Sequence, residues 1–153
     1  MSIRIIRIKN MKEFYKTNSE EETQRIAADF VKTLKGGEVI LLSGELGAGK
    51  TTFVQGIAKA LGIKQITSPT FVLMQIYKTK HKKVKQLCHM DLYRIECSRE
   101  FEPSGLDEYL YMDDTVCFIE WGEKIKDILR DYIQIKMKIA GPKKRTIDIE
   151  KHT

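Results

Sequence analysis

Gly44-Glu45-Leu46-Gly47-Ala48-Gly49-Lys50-Thr51-Thr52 spells G-x-x-x-x-G-K-[ST] in full, and its flanks set the architecture. Average residue usage makes such a match in a chain this long a roughly half-percent event. Its context is also right: Glu38 to Ser43 reads as a short apolar strand, and Lys50 to Leu61 reads as a helix carrying Phe53, Ile57, Ala60 and Leu61. A strand, a glycine-rich turn and a helix are what a phosphate cradle needs. Glycines let the backbone approach an anion and turn N–H groups inward, while the helix N-terminus points partial positive charge at the same place. Lys50 then reaches the β- and γ-phosphates of a nucleoside triphosphate, and the Thr51 hydroxyl reaches Mg²⁺. An ordinary glycine turn before a helix is the bland alternative.

Outward from this loop the pattern is mixed. Ile3, Ile5 and Ile8 alternate as a first strand, and Ser19 to Glu22 forms a capping box. Ile26, Ala27, Phe30, Val31 and Leu34 follow at helical spacing up to a Gly36-Gly37 stop. Phe71–Tyr77 and Val84–Leu92 read as a hairpin around the polar segment Lys78–Lys83. Short helical pieces are expected near Gly105–Tyr111, a buried strand at Val116–Glu120 and a short helix at Glu123–Arg130. Ile133, Ile135, Met137 and Ile139 alternate, then Ile147 and Ile149 across a Gly141-Pro142 turn. Parallel crossovers and hairpins together predict a single α/β domain over residues 1–153: a P-loop NTPase-like mixed sheet flanked by helices, with antiparallel hairpins.

Composition excludes several classes. The chain has 153 residues, 42% apolar, enough for one hydrophobic core and too much for a disordered chain. No apolar run approaches the roughly 18 residues of a membrane span, and the Arg-Ile alternation of MSIRIIRIKN is no secretory signal. Cys88, Cys97 and Cys117 form neither a CxxC pair nor an even set, so unremarkable thiols in a reducing, cytoplasmic setting are expected. The net charge of +6 is compatible with polyanion contacts. Five lysines concentrate in Lys78–Lys85, but only Tyr77 accompanies them. A solvated hairpin loop is the simpler reading there.

A P-loop needs a carboxylate at a neighbouring strand end. Val116-Cys117-Phe118-Ile119-Glu120 has the shape of such an element, with Glu in place of the usual Asp. Asp91, in His89-Met90-Asp91-Leu92-Tyr93-Arg94, also ends a strand, where ligands gather in open α/β sheets. Each is alternatively an exposed strand end. His89 reads as a packed or solvated histidine, and Trp121 as core, an aromatic wall beside the site or a partner contact. No aspartate has glycine three residues later and no N/T-K-x-D occurs, which favours ATP over GTP. Arg94, Arg99, Arg130 and Arg145 are scattered, unlike the arginine-rich lid of a small-molecule kinase, which stays as the alternative.

The segments SGELGAGKTTF (43–53), TSPTF (67–71), HMDLYR (89–94), Gly105 with Leu106-Asp107-Glu108-Tyr109, and IEWGE (119–123) come in one order. Together they resemble the TsaE (YjeE) family, a small P-loop ATPase of bacterial tRNA threonylcarbamoyladenosine biosynthesis. The resemblance implies ATP on Gly47, Ala48, Gly49, Lys50, Thr51 and Thr52, with Mg²⁺ on Thr51 and Glu120. It implies Asp91, with Lys50, as the residues required for hydrolysis, and Thr67, Ser68 and Thr70 in a switch-like loop. Ser19, Glu20 and Gly141 match segments that approach the nucleoside. The implied role is to cycle the TsaB–TsaD pair, which modifies adenosine 37 of tRNAs reading ANN codons, without performing the transfer itself. Contact with tRNA would come through that complex.

Overall fold

The computed structural model describes residues 12–66 and 73–153. Among the described residues seven strands form one mixed sheet: β1 (Lys12–Thr17), β2 (Val39–Gly44), β3 (Met74–Lys78), β4 (Gln86–Asp91), β5 (Thr115–Glu120), β6 (Tyr132–Ile139) and β7 (Arg145–His152). Their order across the sheet is β1-β7-β6-β2-β5-β4-β3. The centre is parallel, β2 lying between β5 and β6 and β4 beside β5. Both margins are antiparallel, from the β3–β4 and β6–β7 hairpins and the addition of β1 to β7. The α/β class with a mixed sheet is therefore as the sequence predicts.

Central β2 shows why the core has two halves. Val39 to Leu42 are all buried, as expected of a strand covered on both faces. Ile40 and Leu42 face a cluster built with helices α1 (Glu20–Val31) and α2 (Lys50–Ala60). Val39 and Leu41 face a second cluster with Phe101, Leu106 and Ile125, from short 3-10 segments and the turn joining two of them, on the opposite face. Phe53 of α2 sits between Phe30 and Phe118, with ring centroids 6.3 and 6.5 Å away, tying both helices to the sheet. The helices touch closely at Gly56, where a Cβ would fall 2.8 Å from that of Ala27.

Several local expectations shift. Ser19 Oγ accepts from the N–H of Glu22 at 3.2 Å, and Glu22 Oε2 reaches back to the N–H of Asn18 at 2.8 Å, one residue beyond the N-cap. Helix α1 ends at Val31, before Gly36-Gly37, because the Thr33 hydroxyl and N–H both take the Phe30 carbonyl. The segment read as a helix over 123–130 is a 3-10 run, Gly122–Ile128. Strand β1 was not legible in KEFYKT, and the strand expected over Ile3–Ile8 lies outside the described residues. Cys88 and Cys117 are register partners in the core, and none of the three cysteines forms a disulfide. The Cys88 thiol and burial hold the Cys117 thiol well above its ordinary range.

Candidate functional site

The phosphate loop joins β2 to α2 at the parallel strands' C-terminal ends. Gly49 is the N-cap of α2, with φ of +96° and no side chain to cap the helix. The first amides of a helix have no intrahelical acceptor, so α2 presents open N–H groups. A Cβ at Gly49 would meet the Met137 methyl at 3.2 Å and the Arg145 side chain at 3.8 Å, and this φ strains any other residue. Within the loop, the Ala48 N–H is already used by the Glu45 carbonyl at 3.0 Å.

A cavity of about 600 Å³ opens over this helix start. It brings together Ser19, Glu20, Gly47, Gly49, Lys50, Thr51 and Thr52, all singled out from the sequence. Ala48 is fully buried, so only its backbone belongs to the loop. Gly141 does not line the cavity, but its neighbours Pro142 and Lys143 do. Thr67, Ser68 and Thr70 lie outside the described residues.

Arg145 is the residue sequence reading missed. Its Nε donates to the Gly47 carbonyl at 3.1 Å, and its Nη1 donates to the carbonyls of Gly141 and Lys144 at 3.0 and 2.8 Å. The guanidinium thus latches the β6–β7 turn to the phosphate loop and lines the cavity. Among scattered arginines only strand order distinguishes it, since β6 pairs with β2 and carries the turn to the loop. Arg94, the arginine nearest Asp91 in sequence, is exposed on the turn after β4.

Glu120 and Asp91 do not line that cavity. They are register partners at the ends of β5 and β4, and Glu120 is also the partner of Leu42 on β2. His89 is 3% exposed, and its Nε2 lies 3.0 Å from Glu120 Oε2. Its Nδ1 is buried without a partner among the described residues, consistent with an imidazole that carries its proton on Nε2 and donates to Glu120. That hydrogen bond, aided by the charge of Lys50, holds the Glu120 carboxyl below the usual glutamate range against the opposing effect of burial. Asp91 is half-buried and accepts from the N–H of Tyr93 at 3.0 Å.

Trp121 is 41% exposed, so it is not core. It stands next to Glu120 with φ of +62°, its ring centroid 5.2 Å from that of Tyr93. Lys124 Nζ covers both rings and donates to the carbonyls of Leu92 and Tyr93 at 3.1 and 2.6 Å. An aromatic wall therefore borders the strand ends that carry the two acids.

The family model described as "Threonylcarbamoyl adenosine biosynthesis protein TsaE" matches residues 17–147. The chain belongs to the TsaE family. A tRNA threonylcarbamoyladenosine biosynthesis protein TsaE of Bacillus subtilis is 43% identical over 135 residues, covering 87% of this chain and 82% of that one. One from Aquifex aeolicus is 39% identical over 136 residues, covering 86% and 90%. The crystal structure of Bacillus subtilis YdiB superposes with a TM-score of 0.72 at 35% identity, covering 95% of this chain and 86% of that one. Among the described residues no helix is long and apolar enough to cross a membrane.

Proposed function

We propose that the chain is one P-loop ATPase domain that binds Mg·ATP and hydrolyses it slowly on its own. In this reading it serves tRNA threonylcarbamoyladenosine formation by cycling the TsaB–TsaD pair, and does not itself transfer the threonylcarbamoyl group. The observation that carries the nucleotide reading is the uncapped start of α2, opening with Lys50 and Thr51 into a cavity of about 600 Å³. An anion suits that end of a helix. Family membership carries the pathway.

The residues present fit the expected ligands. Gly47, Gly49 and the first amides of α2 hold phosphate oxygens, and Lys50 neutralises their charge. Ser19, Glu20 and the turn at 141–145 flank the nucleoside end. Thr51 and Glu120 would hold Mg²⁺ there. Among the described residues no three His, Cys, Asp or Glu side chains form a metal site by themselves, so the metal would arrive with the nucleotide, as is common for Mg²⁺. Bound Mg²⁺ supplies charge neutralisation at the phosphates. His89 keeps the Glu120 carboxylate oriented and ionised, and Asp91 orients the attacking water. Arg145 holds the loop rather than the transferring group, since its identified bonds all go to backbone carbonyls. A partner that orders a loop or adds an arginine would then raise the rate by roughly 10³–10⁵.

The test follows the γ-phosphate of labelled ATP. Release to water, with threonylcarbamoyladenosine formed by TsaB and TsaD only when wild-type chain is present, supports the reading. Transfer to a small acceptor in place of water supports a stand-alone kinase instead.

A further inference from the structure

The lysine-rich segment between β3 and β4 is a built turn, not a loose loop. The Thr79 N–H donates to the Lys85 carbonyl at 3.0 Å, and the Thr79 hydroxyl donates to the Val84 carbonyl. His81 Nδ1 accepts from the N–H groups of Lys83 and Val84 at 3.2 and 3.1 Å. The turn is also docked on the end of α2. The Lys80 N–H donates to the Leu61 carbonyl at 2.9 Å, and a Cβ on Gly62 would fall 3.0 Å from that of Lys80. The result is a concavity of about 510 Å³ lined by Lys32, Lys59, Lys80, His81, Lys82 and Lys83, with no acidic residue in its lining.

All five of these lysines are exposed. Of these five, only Lys32 is in an ion pair among the described residues, with Asp29 at 3.3 Å. Lys32 and Lys59 sit at the C-terminal ends of α1 and α2, where carbonyl dipoles favour cations. That explanation does not reach Lys80, Lys82 and Lys83, which come from the turn. Holding these like charges in one ordered concavity costs electrostatic energy that a polyanion relieves. Protein interfaces are depleted in lysine and anchored by aromatic residues and arginine; this concavity has neither. The absence of aromatic platforms also argues against a single strand. What remains is the phosphate backbone of a folded, double-helical nucleic acid, bound by charge.

We infer that this concavity is an RNA-backbone site, separate from the nucleotide cavity. It lies at the far end of α2, about 16 Å along a helix of 11 residues. The choice of RNA over DNA rests on the function proposed above; the phosphate chemistry does not. Lys59→Gln/Lys82→Gln/Lys83→Gln removes three exposed charges and leaves Lys80, whose stem packs on Gly62. A matched control, Lys16→Gln/Lys138→Gln/Lys151→Gln, removes three exposed charges from β1, β6 and β7.

The assay is fluorescence anisotropy with labelled, unmodified tRNA transcript over a KCl series. The expected result is at least tenfold weaker binding by the first triple variant. Its log K against log salt slope should be shallower by about 2–3, near 0.9 for each phosphate no longer neutralised. The control should bind as wild type, and ATP binding should be unchanged in both. Lys50→Ala should lose ATP and keep RNA, so failure of the ATPase reading and failure of this one are distinguishable. Unchanged affinity and slope in the first triple variant, or no binding by the wild type, overturns the site. Equal or tighter binding of duplex DNA overturns the choice of RNA. Tighter binding of polyglutamate than of tRNA overturns the nucleic-acid assignment in favour of an acidic protein.

Discussion

Replacing Arg145 by alanine disconnects the β6–β7 turn from the phosphate loop. Three hydrogen bonds go with it: to Gly47 at 3.1 Å, Gly141 at 3.0 Å and Lys144 at 2.8 Å. Two of them stay inside the turn, so their loss falls on local stability. Only the Gly47 bond crosses to the phosphate loop. A bond from a charged donor contributes about 1.5–3 kcal/mol, and Arg145 is half-exposed, which places it at the lower end. About 1.5 kcal/mol corresponds to roughly tenfold in affinity. The missing positive charge in the cavity adds to this, so Arg145→Ala should weaken Mg·ATP binding by about ten- to a hundredfold. Arg145→Lys retains charge without the planar fork and should fall between alanine and wild type. Calorimetric titration with Mg²⁺ and a non-hydrolysable ATP analogue, alongside thermal melting, measures both effects. Alanine and lysine variants that bind within about twofold of wild type would refute the latch.

Three further outcomes are expected. Thr51→Ala and Glu120→Ala should each weaken the Mg²⁺ dependence of ATP affinity; unchanged affinity in the presence of Mg²⁺ in both variants removes them from the metal. Asp91→Asn should keep nucleotide binding and lose turnover, and normal turnover would leave Asp91 as only the acceptor of the Tyr93 N–H. Glu120 should also make stability pH-dependent. Its carboxyl, bonded by His89, is held below the 4.5 of a free glutamate. Its contribution is therefore complete above the unfolded-state value and is lost as pH falls through the lower folded one. In urea unfolding, the stability difference between wild type and Glu120→Gln should shrink as the pH is lowered below about 4. A constant difference would contradict the His89–Glu120 coupling.

The residues legible in advance are those whose chemistry is local. The phosphate loop is contiguous, and its strand and helix follow from neighbouring apolar spacing, so β2 and α2 fall within a residue or two of expectation. The hairpin at Gly141-Pro142 announces itself by turn residues between alternating strands, and that around Lys78–Lys83 by a polar segment between two apolar ones. What escaped is non-local. β1 is a charged edge strand, held by its pairing with β7 rather than by its own pattern. Arg145 acquires its role because β6 lies beside β2, an adjacency no spacing encodes. His89 reads as an ordinary histidine until parallel pairing of β4 with β5 sets it beside Glu120. Trp121 stays ambiguous until the turn after Glu120 exposes it against Tyr93.

The most direct test is phosphate release from Mg·ATP by the purified chain, alone and with TsaB, TsaD and tRNA, with Lys50→Ala run in parallel. Lys50 opens α2 at the cavity rather than in the core, so the variant should melt like wild type. The expected result is slow release by the chain alone, acceleration or gating when the partners are added, and none above background for Lys50→Ala under either condition. Fast multiple-turnover release by the chain alone, unaffected by partners and tRNA, or equal release by Lys50→Ala, would contradict a partner-dependent ATPase at this phosphate loop.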